Sequence, residues 1–104
     1  MAKSILHNKQ DGTCYLCMLL NQDYARRITQ EHHVIFGTAN RKLSERYGLK
    51  VYLCLQHHEV GPAAVHNNHE NALLLQQKAQ EAFEKMYSRS QWMLVFGRNY
   101  ITEE

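Results

Sequence analysis

The sequence predicts a small α+β protein in which two short strands are followed by C-terminal helices. Two observations predict the strands: an apolar run at residues 31–37, and an alternating run at residues 49–53 whose odd positions would share one face. A third observation predicts a long helix, because apolar side chains recur every three or four positions over residues 72–86. Histidines and cysteines lie at the ends of this unit, so we expect a metal site there.

One domain is expected to cover residues 1–104, with residues 14–70 as its metal-binding core and residues 71–104 as a helical packing segment. A chain of 104 residues has a marginal core, which a structural metal would stabilise. The apolar content of 44% indicates a globular chain rather than a disordered one. The N-terminus lacks an apolar signal core, and no run reaches the ~18 apolar residues of a membrane span. We therefore expect a cytoplasmic protein with no membrane partner.

The net charge of +2 does not decide whether the partner is a nucleic acid. The positions of the basic residues are more informative, because most of the acidic residues occur later in the chain. The basic residues that lie between the first cysteine pair and the last cysteine are Arg26, Arg27, Arg41, Lys42, Arg46 and Lys50. The basic part of the chain therefore coincides with the histidine-rich part.

The segments around the strands are predicted from turn and capping residues. Residues 1–13 would form an extended arm with a turn at residues 8–12, and residues 18–30 would be weakly helical or irregular. Between the strands, Thr38 would cap a short helix. That helix would end at Gly48, because glycine favours the left-handed position after a helix.

The C-terminal half is predicted to be helical. Asn67 would cap the long helix, with Glu70 three residues later completing the capping pattern. The apolar tail would form a last short helix that ends at Gly97. Trp92 and Phe96 lie four residues apart and would complete the core from that helix, with a dimer contact as the alternative.

Two short motifs predict a structural zinc site, Cys14-x2-Cys17 and Cys54-x2-His57. Structural zinc takes four sulfur or nitrogen ligands in a tetrahedron, and each motif supplies two of them from a tight turn. For the first motif we expect the knuckle of a hairpin. Three cysteines without a secretory signal make a disulfide framework the weaker interpretation. The alternatives are buried free thiols and a redox pair, although a redox pair normally joins a strand to a helix N-terminus in an α/β pattern.

Two histidine-containing strings, His32-His33-Val34 and Cys54-Leu55-Gln56-His57-His58, resemble the HNH family of nucleases, which have the His-Me finger or ββα-metal architecture. In many members a C-x2-C knuckle precedes an Asp-His-Ile-type strand. A C-x2-C-H element then opens the helix after the second strand. The resemblance covers residues 14 to about 70 and implies a small ββα-metal core.

The resemblance implies a metal-dependent endonuclease that hydrolyses DNA phosphodiester bonds and leaves 5′ phosphate and 3′ hydroxyl ends. His33 would be the general base, while His32 and His58 would bind a catalytic divalent ion. His66 is a further candidate ligand, although His66 and His69 also fit solvent-exposed or capping roles. The residues that would hold phosphates are Arg41, Lys42 and Arg46, for which a solvated helix face is the alternative.

Two departures from the family pattern affect this interpretation. His32 stands where the family has an aspartate, and imidazole suits Mn²⁺, Ni²⁺ or Zn²⁺ better than Mg²⁺. A shift of one residue would instead make Glu31 the ligand and His32 the base. The central asparagine of the family falls on Leu49, for which Asn40 is the candidate replacement.

Two other functions stay open from the sequence. The first is a non-catalytic zinc module that binds nucleic acid or a protein partner, with His32 and His33 as ordinary strand residues. The second is a thiol-redox protein, which zinc binding would exclude. A nuclease of this size has little surface for base readout, because specific interfaces bury on the order of 1,000 Å² or more. A homodimer or a larger nucleic-acid-processing complex would supply the missing specificity.

Overall fold

The computed structural model describes residues 3–101. Within them lie a two-stranded sheet and four α-helices, which confirms the predicted α+β class. The elements in chain order are α1 (Tyr15–Asn21), β1 (Thr29–His33), α2 (Thr38–Tyr47), β2 (Lys50–Cys54), α3 (His69–Met86) and α4 (Arg89–Phe96). A short 3-10 turn at Lys9–Asp11 precedes α1, and one π-helical turn at Gln56–Val60 follows β2.

β1 and β2 pair antiparallel, with Thr29 opposite Cys54 and His33 opposite Lys50. The predicted first strand, residues 31–37, is wrong in its second half. Val34 still donates a backbone hydrogen bond to the carbonyl of Leu49, at 3.1 Å, but the following residues bend away from the ladder toward α2. The sheet therefore ends where the two histidines of β1 stand.

The predicted hairpin knuckle at the first cysteine pair is wrong, because Cys14 caps the N-terminus of α1. Its Sγ accepts the backbone N–H of Cys17 at 3.4 Å, and the helix buries Leu16 and Cys17 against the core. Leucine and methionine are strong helix formers, and they dominate this segment. Of residues 18–30, which we expected to be weakly helical or irregular, the first four are helical and the last two belong to β1.

The helix predicted between the strands is confirmed as α2, although Gly37 rather than Thr38 precedes its first turn. Gly48 ends the helix with φ at 72°, in the left-handed region. A Cβ at this position would lie 2.2 Å from the carbonyl oxygen of Lys3, so only glycine fits. α2 thereby returns the chain directly into β2.

The C-terminal helices carry two fully buried aromatic side chains, Phe83 and Trp92. α3 begins one residue later than expected, because Asn68 rather than Asn67 accepts the capping hydrogen bond, from the N–H of Asn71 at 3.0 Å. α4 ends at Gly97 as predicted. Its Trp92 is fully buried in the core, with the ring 4.3 Å from that of Phe96 between centroids.

The core contains side chains from both halves of the chain. Its fully buried members include Cys14, Leu16, Leu49, Val51, Leu53, Leu75, Ala79, Phe83 and Trp92. Met86, which the helical periodicity assigns to the buried face of α3, is instead 60% exposed, because the helix ends there. No helix within residues 3–101 is both long and apolar enough to cross a lipid bilayer.

Replacing Phe83 by alanine tests this core. Phe83 is fully buried and its ring lies 5.3 Å from the rings of both Tyr47 and Trp92. We expect Phe83→Ala to lower the free energy of unfolding by about 3–5 kcal/mol, since a large cavity remains. Denaturant unfolding in buffer that contains zinc would measure this loss of free energy. Leu94→Ala is the control, because Leu94 is 80% exposed. An equal decrease in the free energy of unfolding in the two variants would contradict the assignment of Phe83 to the core.

Candidate metal centres

Four side chains converge where α1, the end of β2 and the π-helical turn meet. They are Cys14, Cys17, Cys54 and His57, and their ligand atoms all lie within 4.8 Å of one another. Nδ1 of His57 lies 3.4 Å, 3.4 Å and 3.5 Å from the three sulfurs, and the Cys17 and Cys54 sulfurs are 3.9 Å apart. A zinc tetrahedron with ordinary bond lengths has edges of about 3.5–3.8 Å between such ligands. The cluster could therefore hold a metal such as zinc with little rearrangement.

Burial in this Cys3His cluster favours the neutral forms of Cys17 and His57. Burial, and then the neighbouring Cys14 sulfur, raise the pKa of Cys17 to about 12. Burial also lowers the pKa of His57, so its ring is neutral at pH 7. A cation among these groups would stabilise the thiolates, and zinc is the borderline-soft ion that suits sulfur and nitrogen ligands.

The same geometry bears on the redox alternative. Cys14 does cap a helix, so the absence of a helix N-terminus is no argument against a redox pair. The raised pKa of Cys17 is the opposite of what a reactive thiol needs. A third thiol and an imidazole complete a four-ligand set, and that set favours metal binding.

A second cluster consists of His32, His58 and His66. Their ring centroids are 5.1–5.6 Å apart, and one nitrogen of each lies within 4.8 Å of the others. His58 follows the zinc-ligand candidate His57 directly. The backbone N–H of Val65 donates to the carbonyl of His57 at 2.8 Å, which brings the loop carrying His66 back to the turn.

The protonation states in this histidine cluster suit a metal. His32 is 4% exposed, and its Nε2 has no hydrogen-bond partner among the described residues. Burial, with smaller contributions from His58 and His66, lowers the pKa of His32 to about 3, so the ring is neutral at pH 7. Nδ1 of His58 lies 2.7 Å from the side-chain oxygen of Gln30 and must carry the proton there, which leaves its Nε2 as a lone-pair donor.

A third cluster lies on the other side of β1, because adjacent strand residues point to opposite faces. Nε2 of His33 lies 3.0 Å from Oε1 of Glu45 and 3.5 Å from Oε1 of Glu31. Nζ of Lys50 lies 2.9 Å from Oε2 of Glu45 and 3.5 Å from Oε2 of Glu31. Hydrogen bonds from His33 and Lys50 lower the pKa of Glu45 to about 2, so its carboxylate is ionised at pH 7.

An open cleft of about 470 Å³ joins the second and third clusters. Phe36 stacks on His66 at its rim, with 6.2 Å between the ring centroids. The lining residues include Glu31, His32, His33, Phe36, Arg41, His58 and His66. The cleft therefore brings the predicted base, the predicted metal ligands and one predicted phosphate contact to one surface.

The other residues that the sequence analysis assigned to this site do not line the cleft. Lys42 and Arg46 are exposed on α2 but do not line it. His69 is exposed at the first position of α3. Leu49 is fully buried in the core, while Asn40 donates to the carbonyl of Phe36 at 2.8 Å and so braces the loop after β1.

Sequence reasoning assigned no role at this site to Glu45, Lys50 or Phe36. The register of the two strands is the one signal that was available for Lys50, because it pairs Lys50 with His33. Glu45 carries no such signal, since its contact depends on how α2 packs on the sheet. Comparisons with models of protein families, with curated proteins and with solved structures find no match to this chain.

Removing one sulfur tests the Cys3His cluster. We expect the purified protein to keep one tightly bound zinc after dialysis, and Cys54→Ser to lose it and to unfold more easily, because the free energy of zinc binding contributes to folding. Elemental analysis would measure the zinc content, and thermal unfolding would measure the stability. His66→Asn is the matched control and should keep the tight zinc. If Cys54→Ser retained its zinc and its melting temperature, the assignment would be wrong.

Proposed function

We propose that this chain is a metal-dependent endonuclease of the HNH type that hydrolyses DNA phosphodiester bonds. One observation carries the proposal: His33 and the cluster of His32, His58 and His66 open onto the same cleft. A nuclease of this type needs a second metal position separate from the structural zinc. The histidine cluster meets that need, because it shares no residue with the Cys3His cluster.

In the proposed mechanism His32, His58 and His66 hold one divalent ion. An ion held by these residues would supply stabilisation of the negative charge that develops in the transition state. Three imidazoles and no carboxylate favour Mn²⁺, Ni²⁺ or Zn²⁺ over Mg²⁺. The unpartnered Nε2 of buried His32 supports its role as a ligand, since a buried polar atom otherwise needs a hydrogen bond.

His33 is the proposed general base. A neutral imidazole at the edge of the cleft would take a proton from the attacking water as the water oxygen bonds to phosphorus. The bond from phosphorus to the 3′ oxygen breaks, and the leaving 3′ oxygen takes a proton from solvent to give the 3′ hydroxyl. The geometry supports His32 as ligand and His33 as base rather than Glu31 and His32. Glu31 lies with His33 and Lys50 on the face of β1 opposite the histidine cluster.

Arg41 is the proposed phosphate contact within the cleft, since it lines the cleft beside the histidines. Lys42 and Arg46 lie on the exposed side of the same helix and would extend the contact along the DNA backbone. Phosphate contacts of this kind fix the position of the duplex but read no base sequence.

A non-catalytic zinc module that binds nucleic acid is the second candidate. The observation that favours it is Leu49, which is buried and apolar where the family has its central asparagine. The hydrogen bond from Asn40 to Phe36 gives the loop a different brace, which supports the nuclease. The two candidates differ in whether the histidine cluster binds a metal that is required for cleavage.

Cleavage of supercoiled plasmid tests the proposal. We expect nicking with Mn²⁺ or Ni²⁺ but not without a divalent ion. We expect His33→Ala to lower the nicking rate about 10²–10⁴-fold, because general-base catalysis contributes about that factor. Bound zinc should stay in the variant. His69→Ala is the control, since His69 is exposed outside the cleft. If the wild-type protein binds DNA but does not cut it with any of the metals, the result would favour the binding module.

The salt dependence of DNA binding tests Arg41. We expect Arg41→Ala to weaken binding and to reduce the slope of log K against log salt by about 1, because one phosphate contact is lost. Fluorescence anisotropy with a labelled duplex, in buffer that lacks divalent ions, would measure the slope. Arg98→Ala is the control, because the Arg98 guanidinium lies over the Tyr100 ring, outside the cleft. An unchanged slope in Arg41→Ala would remove Arg41 from the interface.

A further inference from the structure

Glu45 connects the candidate base to the framework of the fold. It stands in the second half of α2, and its two carboxylate oxygens have different partners. Oε1 lies 3.0 Å from Nε2 of His33, and Oε2 lies 2.9 Å from Nζ of Lys50. We propose that Glu45 is the positioning residue of His33, that Lys50 holds Glu45 in place, and that this arrangement keeps the ring proton of His33 on Nε2.

The position of the proton follows from hydrogen-bond chemistry. An ionised carboxylate can only accept hydrogen bonds, so Nε2 of His33 must be the donor to Glu45. A neutral imidazole carries one N–H, which leaves Nδ1 as the nitrogen with a free lone pair. A base needs that lone pair, and a fixed tautomer keeps it available.

Lys50 fixes the carboxylate from the other side. It is 3% exposed and pairs with His33 across the two strands, so its ammonium group lies next to the base within the fold. The hydroxyl of Ser4 donates to the backbone carbonyl of Lys50 and anchors that part of β2. With one partner on each oxygen, the carboxylate of Glu45 cannot rotate without breaking a charge-assisted hydrogen bond.

Two other roles for this cluster fit the contacts less well. Glu31, His33 and Glu45 have the spacing of a metal site, but the ammonium group of Lys50 already contacts both carboxylates and would repel a cation. An ion pair that only fastens α2 to the sheet would need Lys50 alone. The second oxygen of Glu45 instead contacts a residue that lines the cleft.

The first test observes the ring proton directly and is independent of catalysis. In ¹⁵N-labelled zinc-loaded protein, we expect His33 to show a slowly exchanging Nε2–H signal and an unprotonated Nδ1. Glu45→Ala should lose the slow exchange. Glu45→Gln should keep part of it, because the amide oxygen still accepts a hydrogen bond. Glu84→Gln is the matched control, since Glu84 contacts Gln80 and Arg89 outside the cleft. A proton on Nδ1, or slow exchange that survives in Glu45→Ala, would overturn the proposal.

The second test uses DNA cleavage and rests on the proposed function. We expect Glu45→Ala to lower kcat about 10- to 100-fold with KM unchanged, and Glu45→Gln to recover part of that loss. Zinc content and melting temperature would be measured on the same samples. They would distinguish an effect on the position of His33 from an effect on the stability of the fold. Full kcat per folded molecule in both variants would overturn the proposal, and so would the loss of one metal equivalent in Glu45→Gln. If wild-type protein does not cut DNA, the proposed function fails, and the proton signal alone decides the role of Glu45.

Discussion

The convergence of three sulfurs and one imidazole at the end of β2 is the constraint on which the rest of the structure depends. Cys14 and Cys17 belong to the start of α1, whereas Cys54 and His57 belong to β2 and the turn after it, so one metal would hold both halves of the core together. The ligands also fix the π-helical turn. His58 belongs to that turn, and its ring lies opposite that of His32 with 5.2 Å between the ring centroids. A structural metal would therefore determine the geometry of the neighbouring histidine cluster.

The alternation of side chains along β1 divides the site into two environments. His32 is buried against the rings of His58 and His66, and burial keeps it neutral, with its Nε2 unpartnered among the described residues. His33 points to the opposite face, where a carboxylate and a buried lysine surround it. Two consecutive histidines thus acquire different chemistry from the strand pleat alone. The cleft is lined by both histidines, and in the proposed mechanism this would let a metal ligand and a base act on one phosphate.

The parts of the fold that depend on local chemistry could be predicted from the sequence. The Cys3His cluster, the helix that ends at Gly48 and the last helix that ends at Gly97 each follow from spacing or from one residue type. Asn67 and Asn68 are equally good caps, so the start of α3 was uncertain by one residue. Cysteine is not a usual cap, so Cys14 gave no signal for the start of a helix, although the leucines and the methionine after it favour one. The contacts of Glu45 and the return of His66 to the turn depend on tertiary packing, which residue spacing does not encode.

Anomalous scattering from crystals of the zinc-loaded protein soaked in Mn²⁺ would test the central claim most directly, because it locates each metal by element. The account predicts zinc at Cys14, Cys17, Cys54 and His57, and manganese at His32, His58 and His66 as a separate peak. It also predicts no metal between Glu31 and Glu45, where Lys50 supplies the positive charge. A single metal peak at the cysteines, with the three histidines free of metal at saturating Mn²⁺, would contradict the account and favour a zinc module without catalytic function.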